Sequence, residues 1–251
     1  MYFDPAFPDW GSKAWKLVAS LRLSDPAVEA AMRRIPRHRF LSRGLWPTAY
    51  VDTPLPIGPE ATISAPHMVA IQLSLAQISP GMRVLELGSG CGYLASIASL
   101  LTGPEGLVVG VEFERDLVER SVKVLGELGF PIVRDAAVNG TPNATSPGVS
   151  SGSSHPSTVS LPGKEVSPVR IHHGNGYAGA PAWAPFDRII VSYAGPSPEG
   201  EPWIEQLGPE GIAVVPVEQG PDHTEIEVWR RARTGWTKVS GPPCLFVRRK
   251  A

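Results

Sequence analysis

Apolar residues in the first part of the chain recur at the spacing of helices. Two short helices are predicted between residues 12 and 41. Residues 24–26, Ser-Asp-Pro, separate them, because a capping side chain followed by proline is typical of a first helical turn. A third helix is predicted in residues 67–78, ahead of the Ser-Pro-Gly turn at residues 79–81. The proline-rich residues 50–60 are predicted to form a loop or an extended segment.

From residue 83 onward, short apolar runs alternate with helical patterns. The predicted strands are residues 83–88, 106–112, 186–194 and 211–217, and the predicted helices are residues 93–101 and 115–128. Strands that alternate with helices are typical of parallel sheets. Residues 225–232 and 236–249 are predicted to form a closing antiparallel pair. The predicted fold class is therefore α/β, a doubly wound, mostly parallel, Rossmann-like sheet with an N-terminal helical extension and a C-terminal antiparallel strand pair.

Residues 135–168 interrupt this pattern. They are rich in Ser, Pro, Gly and Thr and poor in large apolar residues. Such a segment cannot bury enough surface to offset the entropy lost on ordering, so a mobile insertion is predicted. The expected organisation is a helical extension and loop in residues 1–60, packed on an α/β domain in residues 61–251 that carries the insertion.

Composition and charge narrow the function classes. The net charge of −1 and the pI near 6.6 provide no overall basic field, so no nucleic-acid partner is expected. The basic runs at residues 33–40 and 247–250 are interpreted as solvated surface. Cys91 and Cys244 lie far apart, which argues against a zinc site or a disulfide framework, and no metal is expected. No apolar run reaches about 18 residues and no secretory leader is evident, so a cytoplasmic protein without membrane association is expected.

A glycine-rich turn follows the first predicted parallel strand. In the stretch VLELGSGCGY, Gly88, Gly90 and Gly92 alternate with other residues. Glycine lets the backbone turn tightly and approach a ligand closely. Glu112 ends the next strand, twenty residues past Gly92, where an acidic side chain in this architecture reaches a ribose diol. These features together predict a nucleoside cofactor.

The spacing of the turn favours one cofactor over another. Dinucleotide sites prefer G-x-G-x-x-G, whereas this chain has G-x-G-x-G with Glu86 two residues before the first glycine. A carboxylate there would repel a phosphate and attract the ammonium group of a methionine moiety. S-adenosyl-L-methionine is therefore the predicted cofactor.

Ahead of this turn, the stretch ATISAPHM at residues 61–68 is bracketed by Pro59 and Pro66. With it, the chain resembles the protein-L-isoaspartate O-methyltransferases, a family of class I S-adenosylmethionine-dependent methyltransferases. DTPLPIG…ATISAPHM resembles the family's signature loop, and RVLELGSGCGY resembles its cofactor turn. DPAVEAAMRRIPRHRF is similar to the N-terminal helical region, and FDRIIVSYAGP and WIEQLGPEGIAVVPV are similar to the later strands. The resemblance covers most of the chain outside the insertion.

The resemblance implies roles for individual residues. The signature loop would close over the cofactor and cradle an isoaspartyl carboxylate, with Ser64 in a catalytic role. The implied substrate-binding residues are Thr62, Ser64, Ala65 and His67. The implied cofactor-binding residues are Ile63, His67, Glu86, Gly88, Ser89, Gly90, Gly92, Tyr93, Glu112, Asn175 and Gly176. Thr62 and Ser64 are also predicted to cap the helix that begins near Pro66.

The implied activity is methyl esterification of the α-carboxyl group of L-isoaspartyl, and by extension D-aspartyl, residues in damaged proteins and peptides. The ester collapses to a succinimide, which leads to repair. A carboxylate is already ionised at neutral pH, so Ser64 would orient it and need not act through a base. Three alternatives stay open: an O-methyltransferase for a dedicated peptide or small carboxylic acid, a nucleic-acid methyltransferase, and a non-catalytic adaptor. A monomer that meets isoaspartyl peptides is expected.

Three departures from the family pattern bear on these expectations. Asn175 stands where the family has an aspartate that accepts from the adenine amino group, and an amide oxygen can still accept. Tyr193 is a bulky side chain in a run of small residues, and Arg248 and Arg249 replace a Pro-Leu pair. The resemblance places these last changes near the peptide, so they concern the methyl acceptor more than the cofactor.

Overall fold

The computed structural model describes residues 4–133, 165–220 and 223–248. The chain begins with α1 (Trp10–Ser20) and α2 (Pro26–Arg34), the two short helices that the apolar spacing predicted. The side chain of Asp25 caps α2, because its Oδ1 accepts from the backbone N of Ala27 at 3.0 Å. Short 3₁₀ turns follow at Arg37–Phe40 and Arg43–Thr48.

In the described part of the chain, seven strands form one sheet, and the α/β class predicted from sequence is confirmed. Their spatial order is β5 (Val169–His173), β4 (Leu107–Glu112), β3 (Arg83–Leu87), β6 (Phe186–Val191), β7 (Leu207–Gly220), β8 (His223–Ala232) and β9 (Gly235–Pro243). The first five strands are parallel, and β8 and β9 add the predicted antiparallel group. Two further strands, β1 (Leu55–Gly58) and β2 (Ala61–Ile63), form a separate antiparallel hairpin.

Both faces of the sheet are buried. Alternate side chains along a strand point to opposite faces, so Val84 and Leu85 belong to different core clusters. The cluster of Val84 includes side chains of all five α-helices in the described residues, among them α3 (Pro66–Ala76), α4 (Tyr93–Thr102) and α5 (Arg115–Glu127). In the described chain, the cluster of Leu85 is closed by large aromatic side chains such as Trp203 and Trp229. Burial on both faces explains the near-continuous apolar runs of these strands.

The composition of residues 33–40 predicted a solvated basic surface. The structure shows that this prediction is wrong for part of the run. Arg37 and His38 are 1% and 0% exposed. Arg37 donates from Nε to the carbonyl of Ala49 at 3.0 Å, and His38 Nε2 lies 3.2 Å from Oδ2 of Asp4. Burial lowers the pKa of His38, against the opposing effect of the Asp4 hydrogen bond. These remote partners hold both side chains, although Nη1 of Arg37 has no hydrogen-bond partner in the described chain. The run therefore anchors the N-terminal segment.

The first turn of α3 lacks the cap that the sequence predicted. Neither Thr62 nor Ser64 accepts a hydrogen bond from it in the described chain. Oδ1 of Asp52 accepts from the backbone N of His67 at 2.9 Å instead. The cap therefore comes from the proline-rich segment, fifteen residues earlier in the chain.

The predicted insertion falls largely outside the described residues, which resume at residue 165. Its last residues do not fit a mobile segment, since Val166 and Ser167 are buried. The backbone N of Ser167 donates to the carbonyl of Ser99 at 3.1 Å, and Oγ of Ser99 donates to the carbonyl of Ser167 at 2.7 Å. The sequence placed a boundary between the N-terminal extension and the α/β domain at residues 60 and 61. In the structure this position lies inside the β1–β2 hairpin.

The sheet topology positions a ligand crevice. The strand β3 lies between β4 and β6, so the chain order reverses direction at this strand. In open parallel sheets, ligands bind outside the carboxyl ends of the strands at such a switch point. Within the described parts of the chain, no helix is long and apolar enough to cross a membrane, and no group of three His, Cys, Asp or Glu side chains could hold a metal ion.

Candidate functional site

The turn after β3 requires glycine for two reasons. Gly88, Gly90 and Gly92 have φ angles of +78°, +53° and +84°, a region that residues with a Cβ rarely adopt. A Cβ on Gly88 would also lie 2.8 Å from Cδ1 of Tyr193. The turn therefore brings bare backbone to the carboxyl edge of the sheet and then opens α4.

The carboxylate of Glu112 joins this turn to the end of β4. Its Oε2 accepts from the backbone N of Gly90 at 2.8 Å, and its Oε1 accepts from the backbone N of Glu114 at 2.8 Å. Each carboxylate oxygen keeps a further lone pair, and the side chain lines a cavity. Glu112 is thus held in one orientation with acceptor capacity left for two hydroxyl donors.

Glu86 is a buried carboxyl group beside the turn. It is 2% exposed, its Oε1 accepts from Oγ of Ser192 at 3.1 Å, and its Oε2 has no partner in the described chain. Burial raises the pKa of Glu86 to about 8, the Ser192 hydrogen bond opposes this, and the charge of Glu112 adds to it. An ammonium group placed against Oε2 would supply the missing partner and favour the ionised form.

Three adjoining cavities surround these groups. We name them the Glu112 cavity, the Glu86 recess and the His67 cavity, the last with a volume of about 410 Å³. The side chains of Thr62 and Ser192 line all three. These two hydroxyls therefore mark the point at which the three spaces meet.

The structure brings most of the sequence-predicted site residues to this edge. Ile63, Ser64, Glu86, Gly88, Ser89, Gly90 and Tyr93 line the Glu86 recess. Glu112, Asn175 and Gly176 line the Glu112 cavity, and Ser64, Ala65 and His67 line the His67 cavity. Two predicted cofactor residues stand apart. His67 lines only the His67 cavity among these three, and Gly92 lines none of them.

Tyr93 is linked to the N-terminal segment by a buried arginine. The guanidinium of Arg37 lies 5.1 Å from the centroid of the Tyr93 ring. The same side chain donates to the carbonyls of Ala49 and Thr53 at 3.0 and 3.3 Å. Arg37 therefore connects the first residue of α4 to the segment that carries Asp52.

Two residues of this site were missed by sequence reasoning. Ser192 directly follows β6, which is a parallel strand. Because the carboxyl ends of parallel strands lie at one edge of the sheet, this position could have identified Ser192 as a site residue. Asp52 has no such signal. Its Oδ1 lies 2.9 Å from both the backbone N and the Nδ1 of His67, so it fixes the imidazole as well as the helix end.

Removing the carboxylate of Asp52 should increase the mobility of His67 and leave the predicted cofactor site unchanged. We expect Asp52→Ala to lower the free energy of unfolding by about 1 kcal/mol, the usual loss for a helix cap. Ligand binding in the His67 cavity should weaken, and the affinity for the predicted nucleoside cofactor should stay unchanged. Chemical denaturation and calorimetric titration measure these effects, with Glu199→Ala as the control for loss of an exposed carboxylate. An equal loss of stability in the control would contradict the assigned cap.

The bulky side chain of Tyr193, a departure from the family pattern, lies on the predicted cofactor side. A Cβ on Gly176 would lie 2.9 Å from the hydroxyl of Tyr193, so this ring lies against the backbone of both Gly88 and Gly176. Tyr193 lines the Glu112 cavity and is absent from the lining of the His67 cavity. The sequence analysis placed Tyr193 near the bound peptide, whereas the structure places it beside the predicted cofactor site.

Asn175 and Arg248 also line the Glu112 cavity. Oδ1 of Asn175 accepts from the backbone N of Tyr177 at 2.9 Å, so this amide oxygen also shapes the following turn. Arg248 lines the Glu112 cavity, and its Nε lies 3.2 Å from Oε1 of Glu218. Arg249 lies outside the described residues.

Known proteins are similar to this chain in sequence. The family model described as protein-L-isoaspartate(D-aspartate) O-methyltransferase matches residues 14–247. Protein-L-isoaspartate O-methyltransferase 2 of Archaeoglobus fulgidus is 36% identical over 204 residues, which cover 81% of this chain and 76% of that one. The protein-L-isoaspartate O-methyltransferase of Ignicoccus hospitalis is 35% identical over 231 residues, 92% of each chain.

Solved structures share the fold. One protein-L-isoaspartate O-methyltransferase superposes with a TM-score of 0.74 at 23% identity over 96% of this chain, which spans 66% of that longer one. A Plasmodium falciparum structure in complex with S-adenosyl-L-homocysteine superposes with a TM-score of 0.71 at 22% identity, over 94% of this chain and 98% of that one. At these identities the likeness concerns the fold alone.

Proposed function

This chain belongs to the protein-L-isoaspartate(D-aspartate) O-methyltransferase family, and from this premise we propose that it methylates the α-carboxylate of L-isoaspartyl residues in damaged proteins. S-adenosylmethionine is the methyl donor. The methyl ester collapses to a succinimide, and hydrolysis of that ring returns part of the product to normal aspartate. One observation carries the proposal: Thr62 and Ser192 line the two cofactor-side cavities and the His67 cavity at once.

The residues on the cofactor side suit S-adenosylmethionine. The fixed carboxylate of Glu112 would accept from the ribose hydroxyls, and Glu86 would pair with the ammonium group through its unpartnered Oε2. The buried hydroxyl of Ser89 also has no partner in the described chain and can bind the same ligand. When bound, the cofactor supplies an electrophilic methyl group on its sulfonium. The protein contributes orientation and exclusion of water.

The acceptor carboxylate would enter from the His67 cavity. It is ionised at neutral pH, so no base has to remove a proton. The step needs in-line placement of one carboxylate oxygen against the methyl carbon. We assign this placement to the hydroxyl of Ser64, which lines both the His67 cavity and the Glu86 recess. His67, held by Asp52, would border the peptide rather than the cofactor.

Two synthetic peptides that differ only in L-isoaspartate or L-aspartate at one position test the proposal. With labelled S-adenosylmethionine, base-labile label is expected in the isoaspartyl peptide alone. Label in both peptides would contradict the assigned acceptor. Cofactor binding without label in either peptide would favour a dedicated peptide or a small carboxylic acid instead.

Ser64→Ala tests the role of the hydroxyl. We expect kcat/KM for the isoaspartyl peptide to fall about 10-fold, since a hydrogen bond to a charged group contributes about 1.5 kcal/mol. The affinity for S-adenosylhomocysteine should be unchanged. Ser240→Ala, an exposed serine on β9, is the matched control and should behave as the parent protein. Unaltered kinetics in Ser64→Ala would remove this serine from the mechanism.

A further inference from the structure

A fourth cavity lies behind β1, between the N-terminal 3₁₀ turns and α5. Its volume is about 740 Å³, within the range of small-molecule sites. We name it the Arg120 cavity. Its charged lining residues are Arg39, Arg43, Arg120, Lys123 and Glu127, and its apolar ones are Phe40, Leu41, Leu45, Pro56, Ile57 and Val124.

The charges in this cavity are not balanced. Arg39 lies 2.7 Å from Oε2 of Glu127, so the one carboxylate of the lining is already paired. Arg43, Arg120 and Lys123 make no ion pair within the described residues. Three cations therefore face one space in a chain whose net charge is −1. A concave surface with apolar walls focuses such a field and attracts anions.

Two basic side chains of α5, Arg120 and Lys123, line the cavity together. Arg120 and Lys123 are three residues apart and share a face of the helix. Nη1 of Arg120 donates to the carbonyl of Ile57 at 2.6 Å, which holds the guanidinium at the wall of the cavity. The planar guanidinium offers further donors in a geometry that fits phosphate oxygens. Arg43 adds a second guanidinium from the 3₁₀ turn.

We propose that the Arg120 cavity binds a small organic phosphate that carries several negative charges. A diphosphate or triphosphate concentrates enough charge in one compact group to meet three cations, whereas a carboxylate carries a single charge. The apolar lining accommodates the organic part. Ile57 and Cys91 line this cavity and the Glu86 recess, so the ligand would lie directly behind the cofactor site. The binding does not depend on methyl transfer.

Calorimetric titration of the full chain tests the site, with the cofactor site saturated by S-adenosylhomocysteine. The probes are tripolyphosphate, which supplies only the charged group, and geranyl diphosphate, which adds an apolar body. We expect both to bind and geranyl diphosphate to bind more tightly. In the double variant Arg120→Gln with Lys123→Gln, both affinities should fall at least about 10-fold, as expected for loss of two charge-assisted contacts.

A matched control separates this site from general charge effects. Lys16→Gln with Arg233→Gln removes the same charge from exposed positions outside the cavity lining and should leave both affinities unchanged. Affinity for S-adenosylhomocysteine and the melting temperature establish that each variant is folded. The proposal is overturned if neither probe binds, if the Arg120 and Lys123 variant binds as the parent does, or if the control loses the same affinity.

Discussion

Glu112→Gln is expected to weaken the binding of S-adenosylhomocysteine by about 100-fold, the loss that one to two hydrogen bonds to a charged group explain. Both carboxylate oxygens accept from backbone N–H groups, those of Gly90 and Glu114. In the variant, the amide NH2 group would face one of these backbone N–H donors, and the charge that we propose for the ribose contact would be lost. The proposed cofactor contact would be lost, and so would the hydrogen bond that ties the glycine turn to the end of β4.

Calorimetric titration measures this affinity, and two further variants separate its causes. Glu112→Asp keeps the charge with a shorter reach, so an intermediate loss is expected. Glu105→Gln changes an exposed glutamate before β4 and should bind as the parent protein does. If Glu112→Gln retained the parent affinity while its melting temperature fell, the carboxylate would serve only the fold, and the ribose assignment would be wrong.

The cofactor-free protein is expected to lose stability as the pH rises from about 5 to about 8, because of the buried carboxyl group of Glu86. Burial raises the pKa of Glu86 from its ordinary 4.5 to about 8 in the folded chain. A carboxyl group whose folded pKa is raised contributes stability that is fully present below its unfolded pKa and is lost as the pH passes the folded pKa. The free energy of unfolding should therefore decrease between about pH 5 and pH 8, by on the order of 4 kcal/mol.

Glu86→Gln should remove this dependence, because an amide has no proton to lose. Denaturant titrations of the parent and the variant at several pH values measure the difference. Glu105→Gln again serves as the control and should keep the parent's slope. A variant that lost stability with the same pH dependence would show that another group titrates.

Binding of the cofactor is expected to release a proton from the carboxyl group of Glu86. Because burial raises the pKa of Glu86 to about 8, we expect its protonated form at pH 7 in the free protein, and a bound ammonium group would favour the ionised form. Binding of S-adenosylhomocysteine should therefore release close to one proton, and affinity should increase from about pH 6 to pH 8. Titrations in two buffers of different ionisation enthalpy count this proton. The ammonium assignment fails if the parent releases none, or if Glu86→Gln releases as many.

Local patterns predicted the elements that local physics controls. The helices α1 and α2 follow from apolar spacing, because each buries one periodic face. The strands β3 and β4 follow from short continuous apolar runs, because both faces of the sheet are buried. Their ends were less well placed. The pattern predicted a strand at residues 211–217, whereas β7 extends over Leu207–Gly220, since pairing with β6 and β8 decides where it ends.

Part of the candidate site was also readable in the sequence. Glu86, Gly88 and Glu112 lie at or next to the ends of parallel strands, and such ends share one edge of the sheet. Their meeting therefore required only the correct fold class. The composition of residues 33–40 misled for the opposite reason. A run of basic residues predicts a solvated surface from charge alone. It does not reveal that Arg37 and His38 have buried partners elsewhere in the chain.

The sequence by itself determined the α/β class, the glycine turn, and the two carboxylates that suit a nucleoside with an amino-acid end. Only the tertiary structure decided that Asp52 holds His67, that Ser192 reaches Glu86, and that Tyr193 lies on the cofactor side. The physical reason is the range of the interactions. Periodicity and turn chemistry act between neighbours in sequence, whereas Ser192 and Glu86 are separated by 106 residues and meet only because β3 and β6 pair.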